Sequence, residues 1–182
     1  NNEVGTIQPV AKVAALAAEH GVPLHIDAVS AFGHIPINFA QLRTESGATG
    51  NAGLVALSIS GHKFGSVPGV GALVVSREAQ LEPLIHGGGQ QRGLRSGTLD
   101  APAISSMAIA ALVTDKAFAQ ETQRLAELRD ATIARIQEII PDAVLSGDPV
   151  NRLDNNVNFT FPGCQSDSLL FLLDAMGVSV ST

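Results

Sequence analysis

The sequence has only one cysteine, Cys164, and no stretch rich in lysine and arginine. A single cysteine excludes an intrachain disulfide framework and is typical of a reducing compartment. The net charge of −6 and the lack of a basic stretch argue against nucleic acid or an anionic membrane surface as the main partner. All apolar runs are far shorter than the ~20 residues that span a bilayer, so a membrane protein is not expected either.

Apolar residues are abundant, at 45% of the 182 residues, whereas charged residues make up 15%. This balance predicts a sizeable buried core and argues against wholesale disorder. No secretory signal peptide opens the chain, so we expect a soluble cytoplasmic protein. The chain starts without methionine, and residues 177–182 resemble a strand or loop cut in mid-course, so we also expect a piece of a longer protein.

Helical and strand patterns alternate in the first half of the chain. Between Pro9 and Gly21 the apolar residues recur at helical spacing, which predicts a helix over residues 9–20. Near-continuous apolar runs predict buried strands, and their alternation with helical segments indicates an α/β fold with a mostly parallel sheet. These strands are expected at residues 22–27, 54–59 and 70–75.

The pattern changes in the second half. A glycine-rich, basic segment over residues 86–98 is too irregular for a helix or strand, and residues 101–140 are largely helical. A strand at 157–161 and a helix at 166–176 follow. We therefore expect two units, a portion of a large domain over residues 1–115 and part of a smaller α+β domain over residues 116–182.

Two of the predicted strands end in ionisable residues. Asp27 ends the first strand, and Ser60-Gly61-His62-Lys63 follows the second. Ligands of open parallel sheets bind beyond the carboxyl ends of the strands, so neighbouring strands would place Asp27 and Lys63 in one crevice. A lysine amine condenses with an aldehyde cofactor, and a carboxylate keeps a pyridine nitrogen protonated. Pyridoxal 5′-phosphate needs both groups, and the serine, glycine and histidine could bind its phosphate.

Each of these features also has a simpler explanation. A strand-terminal aspartate is usually a cap or turn residue, a strand-terminal lysine is usually solvated, and a glycine-rich loop is often only a turn. The ordered combination is more specific than any member of it. It consists of Asp27, then residues 60–63, then Arg95-Ser96-Gly97-Thr98.

The segments NNEVG, HIDA, SGHKFG and HGGGQQRGLRSGT together resemble the cysteine desulfurases of the NifS/IscS type, in the class V aminotransferase superfamily. The resemblance covers essentially the whole chain. It implies a fold-type-I pyridoxal phosphate enzyme with a large mostly parallel-sheet domain, a small C-terminal domain and a homodimer with interfacial active sites. It also implies sulfur transfer from L-cysteine to an enzyme persulfide with release of alanine. The implied partners are sulfur-acceptor or iron–sulfur scaffold proteins, for iron–sulfur cluster assembly or tRNA thiolation.

The resemblance also assigns roles to individual residues, none of them metal ligands. Lys63 resembles the lysine that bonds covalently to the cofactor and moves protons, and Asp27 resembles the partner of the pyridine nitrogen. Thr98 would reach the phosphate in the neighbouring subunit, and Arg95 would lie near the dimer interface. The other cofactor-binding positions are Asn2 near the ring hydroxyl and the substrate carboxylate, Ser60, Gly61 and His62 at the phosphate, and Ser30.

Three departures from the family pattern limit these expectations. Ser30 stands where relatives usually have glutamine, and serine is too short for the same direct bond to the ring hydroxyl. A water molecule could mediate the bond, the bond could be absent, or Ser30 could tune the cofactor electronically. The nucleophilic cysteine would lie beyond Thr182, and Cys164 is expected to be structural. The first half of the large domain is also missing, so this chain alone should not turn over cysteine. Alternatives are another class V aminotransferase, a selenocysteine lyase, or a non-catalytic dimerisation or scaffold remnant.

Overall fold

A three-stranded mixed sheet organises the first half of the molecule, in a computed structural model that describes all of residues 1–182. Its strands lie side by side in the order β1, β2, β3. Helix α1 precedes β1, as the helical spacing of the apolar residues predicts, and helix α2 precedes β2. The bounds are α1 Val10–Glu19, β1 Pro23–Asp27, α2 Phe39–Glu45, β2 Gly53–Ser60 and β3 Gly71–Val75.

Strand β2 is the centre of the core. Its apolar residues Leu54–Leu57 are all buried, and Leu54 is completely inaccessible. Helix α1 packs on this strand, and its residue Ala14 is also fully buried. A side chain at Gly53 would lie 2.9 Å from the Ala18 Cβ and 2.7 Å from the Ala48 Cβ, so the close approach of helix and strand requires glycine there.

The directions of the strands follow from the lengths of their connections. β1 and β2 are parallel and are joined by a crossover that contains α2. β2 and β3 are antiparallel, with Ser60 opposite Gly71. The segment over residues 61–70 is too short for a parallel crossover, which needs about a dozen residues or more. The chain therefore turns back directly, and the sheet is mixed at its β3 edge.

Helix α2 is an element that the sequence reading did not assign. It begins at Phe39 because Asn38 adopts an extended conformation and its side-chain oxygen accepts a hydrogen bond from the Gln41 N–H. Asparagine is among the most favourable residues at this capping position. The capping residue was the available local signal, but the following seven residues carry little helical periodicity.

A single long helix, α3, spans Ala101–Ile139. Asp100 caps it by accepting a hydrogen bond from the Ala103 N–H at 3.0 Å. Its buried residues, Ala103, Met107 and Ala110, all lie in its first third. The helix continues through residue 115, where the sequence predicts a change of unit, and the division into two domains stays a prediction.

The last elements are short. Strands β4 (Val144–Leu145) and β5 (Phe159–Thr160) form an antiparallel pair, and helix α4 (Ser166–Ala175) follows. The long loop over residues 146–158 joins β4 to β5 and reaches back to the beginning of the chain. None of the helices combines the length and the apolar character needed to cross a bilayer.

Candidate cofactor site

A cavity of about 1040 Å³ opens at the carboxyl ends of β1 and β2. The parallel register pairs Asp27 with Ser58, so both strands end at the same edge of the sheet. Four of the predicted site residues line this cavity, namely Asn2, Asp27, Ser30 and Lys63. Ligand pockets in proteins commonly measure about 300–1,000 Å³, so the cavity has room for a cofactor of moderate size together with a small substrate.

Lys63 lies on a short 3₁₀ turn, Gly61–Phe64, that directly follows β2. The turn is held from several sides. The Phe64 ring packs against the Phe32 ring with 4.6 Å between centroids, and the Thr114 hydroxyl of α3 donates to the Phe64 carbonyl at 3.4 Å. The lysine side chain is itself exposed and lines the cavity. The backbone of this turn is thus fixed, while the Lys63 amine is free to react with a ligand in the cavity.

Gly61 has a structural reason to be glycine. It is buried, and a Cβ there would lie 2.9 Å from the Ser66 Cβ and 3.0 Å from the Val70 Cγ1. Its carbonyl accepts a hydrogen bond from the Ser66 N–H at 3.0 Å, which closes the turn. Gly61 is therefore required for the shape of the turn that carries Lys63, independently of any ligand that its backbone binds.

Asp27 combines the turn role and the candidate chemical role. Its Oδ1 accepts a hydrogen bond from the Val29 N–H at 2.9 Å, the usual contact of a turn aspartate. The carboxylate is exposed at the cavity wall, and no protein donor binds its second oxygen. One oxygen thus fixes the side chain and the other is available to a ligand. The Ser30 hydroxyl, three residues later, is also free of protein partners.

The side chains predicted to bind the phosphate are not part of the cavity lining. The Ser60 hydroxyl and His62 Nδ1 contact each other at 2.9 Å, and neither residue lines the cavity. Thr98 is exposed beyond the glycine-rich segment and does not line the cavity either. Arg95 donates to the Ser96 carbonyl at 2.8 Å. Phosphate binding by Ser60, His62 and Thr98 stays a prediction.

A second part of the cavity lining comes from residues 1–8, which belong to no helix or strand. The loop over residues 146–158 holds this segment by backbone contacts. The Ile7 N–H donates to the Asn151 carbonyl and the Leu153 N–H to the Gly5 carbonyl, both at 2.8 Å. The Asn156 amide donates to the Glu3 carbonyl at 2.9 Å. Asn2 is therefore placed by a loop about 150 residues away in the sequence.

Charged groups stabilise that loop. The Arg152 guanidinium is buried and donates to the carbonyls of Ser146 and Asp148, and burial lowers its pKa. The N–H groups of Asn151 and Val150 donate to Asp148 Oδ1, each at 2.8 Å, and lower the pKa of that carboxyl. The loop is thus built on hydrogen bonds to ionised side chains.

Several residues of the cavity carry no signal in the sequence. Phe32 and Ile35 come from the loop after β1, and Thr114 and Phe118 come from α3. Helix periodicity places the last two on one face of α3, but it does not indicate which element that face meets. Only the tertiary structure brings them to the ends of β1 and β2.

The fold and the cavity together define an α/β protein with an amine and a carboxylate at the carboxyl ends of adjacent parallel strands. The model of the aminotransferase class-V family matches residues 1–182, and the chain belongs to this family.

The relatives agree with the resemblance seen in the sequence. The chain is 46% identical over 184 residues to an IscS-like cysteine desulfurase of Mycobacterium tuberculosis, covering 100% of this chain and 44% of the relative. It is 41% identical over 182 residues to the cysteine desulfurase IscS of Dictyoglomus turgidum, again covering 100% and 44%. The resemblance to cysteine desulfurases is confirmed, and the chain spans less than half the length of these relatives.

Solved structures give the same result for the fold. A NifS-like protein superimposes with a TM-score of 0.89 at 33% identity, covering 100% of this chain and 47% of that one. The DndA protein of Streptomyces lividans superimposes with a TM-score of 0.77 at 32% identity, covering 97% and 48%. The predicted fold-type-I α/β architecture is confirmed.

Proposed function

We propose that the protein containing this chain is a pyridoxal phosphate-dependent cysteine desulfurase. The observation that carries the proposal is the placement of Lys63 and Asp27 on one cavity at the ends of two adjacent parallel strands. Family membership and the names of the relatives support the same activity. The sulfur of L-cysteine would pass to an enzyme thiol, which becomes a persulfide, and alanine would be released.

The residues around the cavity fit pyridoxal phosphate. An amine, a carboxylate with one unengaged oxygen and a free hydroxyl are the groups that its aldehyde, ring nitrogen and ring hydroxyl require. The cofactor, when bound, supplies an electron sink for bonds at the substrate Cα. Lys63 would hold the aldehyde carbon and carry protons to and from the substrate, and Asp27 would keep the ring nitrogen protonated.

Asn2 and Ser30 would make further contacts with the cofactor. Asn2 lines the cavity and would bind near the ring hydroxyl and the substrate carboxylate, and Ser30 lies three residues past Asp27 on the same loop. Ser60, Gly61 and His62 would take the phosphate, and Thr98 would do so in the partner of a homodimer. L-cysteine, a sulfur acceptor or iron–sulfur scaffold protein, and a cytoplasmic location complete the proposal.

Cys164 is not assigned the role of the sulfur-accepting thiol. It is exposed in the turn after β5, where its N–H donates to the Phe161 carbonyl at 3.1 Å, and it does not line the cavity. The acceptor thiol is therefore expected outside residues 1–182.

The full-length protein, loaded with pyridoxal phosphate, tests the activity directly. Incubation with L-cysteine and a thiol reductant should yield equal amounts of alanine and sulfide. Selenocysteine and a pair of amino and keto acids serve as competing substrates in parallel reactions. Alanine from selenocysteine alone, or transamination without sulfide, would replace the desulfurase assignment with a lyase or an aminotransferase. A protein that binds no cofactor would favour a scaffold role.

A further inference from the structure

A histidine–aspartate pair joins two distant loops beside the cavity. His34 Nδ1 lies 2.7 Å from Asp154 Oδ1, across 120 residues of sequence. The Asn155 side-chain N–H lies 3.0 Å from His34 Nε2. A ring protonated on Nδ1 satisfies both contacts, because Nδ1–H donates to the carboxylate and Nε2 accepts from the amide. The cofactor chemistry described above uses none of these three residues.

The pair is sheltered from solvent. The Asp154 side chain is 7% exposed and the His34 side chain 18%. Asp154 Oδ2 is buried without any hydrogen-bond partner. The hydrogen bond from His34 to Oδ1 is therefore the only one that the carboxylate makes to another side chain. Sheltered hydrogen bonds to a charged group are stronger than exposed ones, and removing one partner leaves a costly unpaired group. This contact can therefore fix the separation of two loops.

The two loops belong to, or hold, two parts of the cavity lining: the Asp27 wall, which is the end of β1 with the loop after it, and the Asn2 wall, which is residues 1–8. His34 lies in the loop that follows Asp27 and contains Ser30. Asp154 lies in the loop over residues 146–158, which binds residues 1–8 and so places Asn2. The neighbour of Asp154, Leu153, lines the cavity and also donates its N–H to the Gly5 carbonyl. The pair thus connects the Asp27 wall to the Asn2 wall.

We propose that His34 and Asp154 form a latch of positioning residues that sets the distance between the Asp27 wall and the Asn2 wall. Neither residue lines the cavity itself. The latch lets Asn2 and Asp27 contact the same cofactor molecule at once, and its effect on cofactor affinity rests on the proposed function. Its effect on the mobility of residues 1–8 does not depend on that function.

The first test uses the cofactor-free full-length protein and hydrogen exchange at backbone amides. His34→Gln and Asp154→Ala should each accelerate exchange in residues 1–8, where neither substitution lies. The Ile7 N–H is a direct reporter, because it donates to the Asn151 carbonyl of the latch loop. Unchanged exchange in residues 1–8 for both variants would overturn the latch, whether or not the protein binds pyridoxal phosphate.

The second test measures the Kd of pyridoxal phosphate by titration of the same cofactor-free proteins. Each single variant should bind pyridoxal phosphate about tenfold more weakly than wild type, which is within the range of coupling energies between contacting residues. The Kd of the double variant should not exceed the higher Kd of the two single variants. Asp154→Asn should remain within about threefold of wild type, because its amide oxygen still accepts from His34 Nδ1–H. Additive losses in the double variant would show that the residues act separately and would contradict the latch.

Glu78→Ala is the matched control. Glu78 also bridges distant segments, since it accepts from Arg43 Nη2 and the Gly50 N–H, each at 2.8 Å, but it lies away from the cavity. Its removal should leave both the exchange of residues 1–8 and the cofactor Kd unchanged. If Glu78→Ala matched the latch variants in both measurements, the effects would reflect general loosening and the proposal would be wrong. A wild-type protein without cofactor affinity would refute the proposed function, while the exchange experiment would still decide the latch.

Discussion

The two walls of the candidate site are held in different ways. Asp27 and Lys63 stand at the ends of β1 and β2, and β2 carries the most buried side chains of the molecule. Asn2 stands on a segment without secondary structure, held by hydrogen bonds from the loop over residues 146–158. The groups proposed to do the covalent and proton chemistry are therefore on the wall fixed by the core. The group proposed to contact the ring hydroxyl and the substrate is on the wall fixed by a loop.

This contrast predicts that substitutions in the two walls have different effects. Changes to functional groups on the sheet wall should alter chemistry while the free energy of unfolding stays the same. Changes to the loop wall should alter stability and ligand affinity together, since its geometry depends on a few hydrogen bonds.

Asp27→Asn should have the largest effect among the variants that keep the fold. The amide oxygen can still accept from the Val29 N–H, so the turn after β1 should persist. The negative charge that keeps the ring nitrogen protonated is lost, and turnover in the full-length protein should fall by about 10²–10⁴, the range of a proton-positioning group. Steady-state alanine formation and a thermal melt check both parts. Normal turnover would remove Asp27 from the mechanism.

Gly5→Ala should damage the loop wall. Gly5 has φ +76°, and a Cβ there would lie 2.6 Å from Asn156 Oδ1. We expect a loss of about 2–3 kcal/mol in the free energy of unfolding, from backbone strain and the clash together, and weaker cofactor binding. Urea unfolding and a cofactor titration measure the two effects.

Gly21→Ala is the control for Gly5→Ala. Its φ is +66°, but no atom lies within 4 Å of the added Cβ. This variant should lose only the free energy of unfolding that the backbone strain costs, about 1–2 kcal/mol, and its cofactor affinity should not change. Equal losses in the two variants would mean that the contact between residue 5 and the loop does not shape the wall.

Ser30→Gln should have a smaller effect, in the favourable direction. The longer side chain can reach a ring hydroxyl that serine cannot, and one added hydrogen bond is worth about 0.5–1.5 kcal/mol. The Kd of pyridoxal phosphate should therefore decrease about two- to tenfold, as a fluorescence titration would show. Weaker binding would indicate that the cavity around Ser30 is adapted to serine.

Acid should loosen the loop wall slightly. The N–H groups of Asn151 and Val150 hold the pKa of Asp148 below its ordinary value of 3.8. The stabilisation is therefore fully present above about pH 4 and is lost as the pH falls through the depressed pKa. Protection factors of residues 1–8, which correct exchange rates for the intrinsic effect of pH on amides, should fall in this range in wild type, and Asp148→Asn should remove this pH dependence. The same pH dependence in both proteins would exclude Asp148 as its source.

Local patterns in the sequence predict most of the sheet and its ends. The apolar runs place β1, β2 and β3 within one or two residues, and the expectation that β1 and β2 are neighbours is confirmed. The direction of β3 follows from the short connection over residues 61–70, which could have been used to predict the hairpin. Helix α2 depends on the Asn38 cap more than on periodicity.

Long-range contacts could not be predicted in the same way. No local pattern indicates that residues 146–158 bind residues 1–8, or that His34 meets Asp154. Such contacts depend on the packing of elements more than 100 residues apart, and hydrogen-bonding side chains in loops have no characteristic spacing. Asp27 and Lys63 could be predicted together because the ends of parallel strands coincide.

Borohydride reduction of the full-length protein with pyridoxal phosphate, followed by peptide mapping, tests the central claim most directly. The account predicts that, among Lys12, Lys63 and Lys116, only Lys63 carries the reduced cofactor, and that Lys63→Ala abolishes this label. A label on Lys12 or Lys116 in place of Lys63, or a Lys63→Ala protein that still captures the cofactor covalently, would contradict it.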